Sequence, residues 1–234
     1  MKSSTLFRPE AISPYYKWAK SLFTISGMPV KGIMAFAGTP SAYIYDAATI
    51  KYNYCKLRQS LPKRVEIYYA MKANPNIAIV KLLNSFGAGV DVASIGELLA
   101  CEKVKTNPNN IAYTAPVKNK TDLDKALEMG VYINVESLHE ANLLSRLATQ
   151  LGKEVAVGLR VNPRFHIEGA HLTLGGNISS KFGIDFESVP ALYKEIRKLP
   201  NLRVNGIHIS VASGVLSVEG LLQYYRRCFG VAHK

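Results

Sequence analysis

Lys72 closes the apolar run Ile67-Tyr68-Tyr69-Ala70-Met71. An amine drawn into a poorly solvated interior loses the stabilisation of its charged form, and the neutral form can add to an aldehyde as a Schiff base. The same position also suits a lysine that buries its stem and keeps its ammonium in water. Other polar groups recur at the ends of other apolar runs. They are Asp91 with Ser94, Glu136, Arg160 with Asn162, and the set His208, Ser210 and Ser213. Glu97 follows Ser94 by three residues, the spacing of a helix-capping pair. His166 and His171 lie in a polar connection and suit solvated loop positions better than metal ligands. Cys55, Cys101 and Cys228 include no C-x-x-C pair, so no metal site is expected.

The elements that would position these groups alternate regularly. Residues 1–40 are punctuated by Pro14, Gly27, Pro29, Gly32, Gly38 and Pro40 and read as irregular, with a short amphipathic helix over Tyr15–Phe23. A short strand over Ala42–Tyr45 leads to Asp46, a helix N-cap, and Pro62 stops the helix that follows. Strands then begin near residues 65, 89, 111, 131, 155 and 204, mostly 20 to 24 residues apart. Capping patterns at Ser94/Glu97 and Ser137/Glu140 open two of the intervening helices, and a last helix runs from about Val218 toward Phe229. This rhythm predicts β/α units and a parallel sheet. A (β/α)8 TIM-type barrel and a doubly wound sheet both fit. No G-x-G-x-x-G follows a strand, which disfavours a dinucleotide fold. The spacing and the polar strand ends favour a barrel, whose carboxyl-end mouth is where a site is expected. Only six such strands are found, so residues 41–234 are expected to form an incomplete barrel.

Composition narrows the partners. Apolar residues at 48% and charged residues at 20% are ordinary globular values and exclude a disordered tail or a coiled coil. Lys plus Arg exceeds Asp plus Glu by 29 to 17, a net charge of +12. The basic residues are scattered and form no stripe with interleaved aromatics, so no nucleic-acid partner is expected. No run of about 18 apolar residues exists, so no membrane partner is expected. Charges at Arg8, Glu10, Lys17 and Lys20 interrupt any signal-peptide core. Three separated cysteines suit reduced thiols in a cytoplasmic protein.

The local words are more specific than the pattern. Tyr69-Ala70-Met71-Lys72-Ala73-Asn74 resembles the cofactor-lysine motif of the fold-type III pyridoxal-phosphate decarboxylases, the diaminopimelate/ornithine decarboxylase family. Gly89–Leu98, Asn134-Val135-Glu136-Ser137, Leu159-Arg160-Val161-Asn162-Pro163 and Ser180-Lys181-Phe182-Gly183-Ile184 resemble later segments in the family's order. So does Thr39-Pro40 with Tyr43-Ile44-Tyr45-Asp46, and the likeness covers about residues 39–225.

The resemblance implies pyridoxal 5'-phosphate as cofactor and Lys72 as the catalytic lysine that carries it as a Schiff base. It implies that Arg160 bonds the cofactor's 3-hydroxyl, that Ser213 touches its phosphate, and that Asp91 and Glu97 lie near it. The activity implied is decarboxylation of an amino acid of the diaminopimelate, ornithine, lysine or carboxynorspermidine type, or of one bound to a carrier. The partner implied is a second copy of the chain, in a homodimer. A homologue without turnover and a racemase or cofactor carrier on the same barrel are the alternatives.

Two departures from the family pattern stand out. Where the family reads His-x-His-x-Gly-Ser, this chain has His208-Ile209-Ser210-Val211-Ala212-Ser213, so Ser210 occupies the place of the ring-stacking histidine. The family's later Gly-rich phosphate loop, its Glu-Pro-Gly-Arg segment and its C-terminal β-domain have no counterpart in these 234 residues.

Overall fold

The computed structural model describes residues 8–165, 170–173 and 182–233. The chain divides into two compact units. The first comprises residues 1–67 with 81–88, the second residues 68–80 with 89–234.

The first unit opens with three antiparallel strands, β1 (Tyr16–Ala19), β2 (Leu22–Ile25) and β3 (Met28–Pro29), followed by α1 (Val30–Ala37). The irregular reading of this region and the helix expected over Tyr15–Phe23 therefore give way to a sheet. The reason is a tight turn in which Lys20 takes φ 58°, reversing the chain where a helix would continue. Trp18 then stands opposite Phe23 with ring centroids 5.4 Å apart. Residues 42–45 form no strand. Asp46 caps α2 (Ala47–Ser60) as its residue type predicts, accepting from the Thr49 N–H at 2.9 Å. Beyond the helix the Arg58 guanidinium donates to the carbonyls of Leu61, Pro62 and Val65, tying down backbone that Pro62 removes from the helical pattern.

After β4 (Tyr68–Ala70) and α3 (Ile77–Ser85), the second unit alternates strand and helix. The order is β5 (Gly89–Val92), α4 (Ile95–Lys103), β6 (Ile111–Tyr113), α5 (Lys120–Met129), β7 (Tyr132–Val135), α6 (Leu138–Gln150) and β8 (Val155–Asn162). Then come β9 (Ala170–Thr173), β10 (Ile184–Asp185), α7 (Val189–Ile196), β11 (Leu202–His208), β12 (Ala212–Val215) and α8 (Val218–His233). Strands β4, β5, β6, β7, β8 and β11 pair in parallel in that spatial order, and β10 joins the last two residues of β8. All six expected barrel strands are present, in an arc of β/α units. Strand six stops at His208 rather than reaching Val211.

Alternation decides what each strand presents to the helices and what it presents to the arc's interior. Val90, Val92, Ile111, Tyr113, Ile133 and Val135 are almost wholly buried in the core with Leu98, Leu123, Leu127 and Leu144 of the covering helices. Each such burial stabilises the fold by about 1.5–3 kcal/mol. The opposite parity puts Asp91, Ala112, Thr114, Tyr132, Asn134 and His208 on one cavity of about 540 Å3. Gly158 is required there. A Cβ at that position would lie 2.8 Å from the Tyr132 hydroxyl and closer still to Asn134 Oδ1.

Candidate functional site

Lys72 does not end a strand. β4 stops at Ala70, and Met71-Lys72-Ala73 make a single 3-10 turn. Met71 anchors that turn in the core beside Cys101, whose thiol lies 3.6 Å from the Met71 sulfur. On the same turn the Tyr69 hydroxyl donates to the Asn74 carbonyl at 3.0 Å. The expected sheltered amine is therefore corrected: Lys72 is exposed, because the strand ends before it and the turn lifts it to the rim. It lines a cavity of about 160 Å3 together with Asp91, Ala93, Thr114, Pro116, Arg160, Phe182, His208 and Ser210. Five residues singled out from sequence, Lys72, Asp91, Arg160, His208 and Ser210, thus meet at one mouth.

Each wall has a local cause. Asp91 sits at the end of β5 and accepts a hydrogen bond from the Thr114 hydroxyl. Burial pushes its carboxyl above the usual range, against that hydrogen bond and the positive charges of Lys72 and Arg160. Arg160 lies on β8 in register with His208 of β11. It is 8% exposed, its Nη1 donates to Glu136 Oε1 at 2.5 Å, and its guanidinium lies 4.9 Å from the centre of the Phe182 ring. Arg160 is thus held in an ion pair with Glu136, and of the two it is Arg160 that lines the cavity. His208 Nδ1 is buried with no hydrogen-bond partner. Burial, then the charges of Arg160, Lys118 and Lys72, push the imidazole down to about 4.

Other expectations divide. Glu97 is a cap: its Oε2 accepts from the Ala93 N–H at 2.6 Å, and its own N–H donates to Ser94 Oγ. Ser137 caps α6, but Glu140 does not close a reciprocal box. Its carboxylate pairs at 2.7 Å with the fully buried ammonium of Lys118, which also donates to the Ala115 carbonyl. A reciprocal capping box occurs instead at Asn119/Asp122. Ser213 belongs to β12, but its side chain lies outside the described residues, as do His166, the His171 side chain and Ser180-Lys181. Glu136 and Lys118 were given no role from sequence. The signal for Glu136 was an acid one position past β7, on the strand next to Arg160.

The donor set suits one kind of ligand. An amine for an aldehyde, a guanidinium for an acidic oxygen and a buried imidazole atom lacking a partner all surround one space. With the carboxyl-end mouth of a β/α arc, they define the class of barrels that bind pyridoxal phosphate.

Comparison with known families agrees. Residues 47–234 match the model of the pyridoxal-dependent decarboxylase pyridoxal binding domain. The chain belongs to that family, and its cofactor is pyridoxal 5'-phosphate. It is similar to the diaminopimelate decarboxylase of Aquifex aeolicus, 34% identical over 208 residues that cover 88% of this chain and 49% of the relative. It is also similar to the L-glutamyl-(BtrI acyl-carrier protein) decarboxylase of Niallia circulans, at 30% identity over 77% of this chain and 42% of the relative. Among solved structures, the diaminopimelate decarboxylase of M. jannaschii in co-complex with L-lysine superposes with a TM-score of 0.83 at 26% identity. That match covers 94% of this chain and 52% of the other. The chain spans about half the length of the curated relatives it matches. Among the described residues, no helix is long and apolar enough to cross a membrane.

Proposed function

We propose that this chain binds pyridoxal phosphate through Lys72 and serves the decarboxylation of an amino acid of the diaminopimelate or lysine type. The observation that carries this reading is the meeting of Lys72, Asp91, Arg160 and His208 around one cavity at the mouth of the arc. When bound, the cofactor supplies an electron sink for the pair left behind by departing CO2.

The chain's own groups have distinct parts. Lys72 is the amine that would hold the cofactor's aldehyde group. Arg160, held in place by Glu136, would bond the acidic 3-hydroxyl oxygen. His208 stays neutral at physiological pH and offers a ring nitrogen as acceptor. Ser213 is the phosphate contact, and a second copy of the chain is the partner expected from the family resemblance. Substrates named for relatives support an amino acid with a second amino group, or a carrier-bound amino acid.

The test is spectroscopic and then chemical. Addition of pyridoxal phosphate is expected to produce a visible absorption band that Lys72→Ala abolishes. Labelled CO2 is then measured from meso-diaminopimelate, L-lysine, L-ornithine and carrier-bound glutamate. Absence of a Lys72-dependent band would overturn the assignment. A second reading, cofactor binding without turnover, draws on Ser210 standing where the family has a stacking imidazole. It predicts the band with no CO2 from any of the four.

A further inference from the structure

Parallel register lines up one row of residues across three strands. Val135 of β7 pairs with Leu159 of β8, so Glu136 falls beside Arg160. Ile184 of β10 pairs with Val161, so Gly183 falls on the other side of Arg160. The Glu136 carboxylate uses both oxygens in this row. Oε1 accepts from Arg160 Nη1 at 2.5 Å, and Oε2 accepts from the Gly183 N–H at 3.0 Å. The side chains of the ion pair are 10% and 7% exposed, so water competes weakly for either partner.

The far side of the guanidinium is covered by Phe182, the residue before Gly183. Gly183 has φ +78°, and a Cβ there would lie 3.1 Å from Arg160 O and from Asn162 N. The backbone carrying Phe182 is thus pressed onto β8 at a point only glycine fits.

We infer that Glu136 is a positioning residue of the site: one carboxylate fixes the Arg160 guanidinium and, through the Gly183 N–H, the segment that lays Phe182 over it. Arg160 has five N–H donors, so binding Nη1 orients the fork without exhausting it. Glu136 acts through Arg160: Arg160 lines the cavity and Glu136 does not. The inference rests on the proposed cofactor reading for its consequence, but its geometric core concerns Arg160 alone.

Glu136→Gln separates the two. A carboxamide replaces one of the two accepting oxygens with an NH2 donor, which then faces either Nη1 or the Gly183 N–H, donor against donor. The Arg160 Nε–H resonance, assigned by its loss in Arg160→Lys, is followed by 15N relaxation in the cofactor-free protein. In Glu136→Gln it is expected to broaden and exchange faster. The pyridoxal phosphate dissociation constant is expected to rise about tenfold, the scale of one weakened charge-assisted hydrogen bond. The pH at which the Lys72-dependent band titrates is expected to move with it, a response that loss of stability alone does not give. Glu187→Gln, which removes a partner of Arg164 outside the cavity, is expected to change none of these readouts.

An Arg160 resonance, an affinity and a band titration all unchanged in Glu136→Gln would overturn the inference. A wild-type protein with no Lys72-dependent band would overturn the cofactor reading instead, and the Arg160 resonance would still decide whether Glu136 holds it. If Glu136→Gln does not fold, Glu136→Asp keeps the charge but is one methylene too short to span both partners, and the same readouts apply.

Discussion

His208 and Arg160 stand in register on neighbouring parallel strands, so a permanent cation lies beside an imidazole whose Nδ1 has no partner. Protonating that ring would bury a second positive charge next to the first. Burial first, and then the charges of Arg160, Lys118 and Lys72, push His208 from 6.5 down to about 4.

The pH dependence follows from that shift. In the unfolded chain His208 takes up its proton near pH 6.5, while in the folded protein it resists to about pH 4. Between those values the unfolded state binds more protons, so stability rises with pH there. The contribution is fully present above pH 6.5 and is lost as pH falls toward 4. Its ceiling is about 3 kcal/mol, from the drop from 6.5 to about 4. Urea denaturation of wild type and His208→Gln between pH 4 and 8 checks this. The wild-type curve should lose more stability on acidification, and parallel curves would contradict the assignment.

Lys118 and Glu140 make the second prediction. The ammonium is fully buried and the carboxylate nearly so, at 2.7 Å. Lys118→Met leaves Glu140, already raised by burial, without its cation. A loss of about 3–5 kcal/mol is expected, because an unpaired buried charge remains. Lys118→Met with Glu140→Leu should recover most of it, since neither charge is then buried. Equilibrium denaturation of the single and double variants at pH 7 measures the difference.

Those two predictions also show what could be read from sequence. The strands were visible because Val90, Val92, Ile133 and Val135 alternate with Asp91 and Asn134, a period-2 pattern carried by the chain itself. Asp46 and Ser137 were visible because a cap is a local bond. Lys118 was not, because its worth comes from Glu140, which the fold brings to it from beyond α5 and β7. The hairpin at β1 and β2 was misread because Lys20 takes a left-handed φ that its side chain does not advertise. Lys72 was located but wrongly sheltered, since the apolar run to Met71 continues past the residue where pairing with β5 ends.

Thr114 makes the third prediction. Its hydroxyl donates to Asp91 Oδ1, which favours the carboxylate against burial. Thr114→Val keeps the shape and removes the donor, so the Asp91 carboxyl should titrate at higher pH than in wild type. Carboxyl 13C chemical shifts followed through an acid titration read this directly. An unchanged or lowered midpoint would mean that the hydroxyl does not hold Asp91 in its charged form.

Ser210 makes the last. It lines the cavity with Lys72 and Arg160, where a hydroxyl offers no flat surface to an aromatic ligand. An imidazole there would add a stacking contact worth about 0.5–1.5 kcal/mol, roughly two- to twelvefold in affinity. It would also have to fit beside His208 in a space of about 160 Å3, so crowding opposes the gain. Stacking should prevail because Ser210 follows the end of β11, so no ladder hydrogen bond has to break for its backbone to shift. Ser210→His is therefore expected to tighten pyridoxal phosphate binding, measured by titrating the visible band, with Lys72→Ala still abolishing it. Weaker binding with an unchanged thermal midpoint would show that the serine is fitted to the site as it stands.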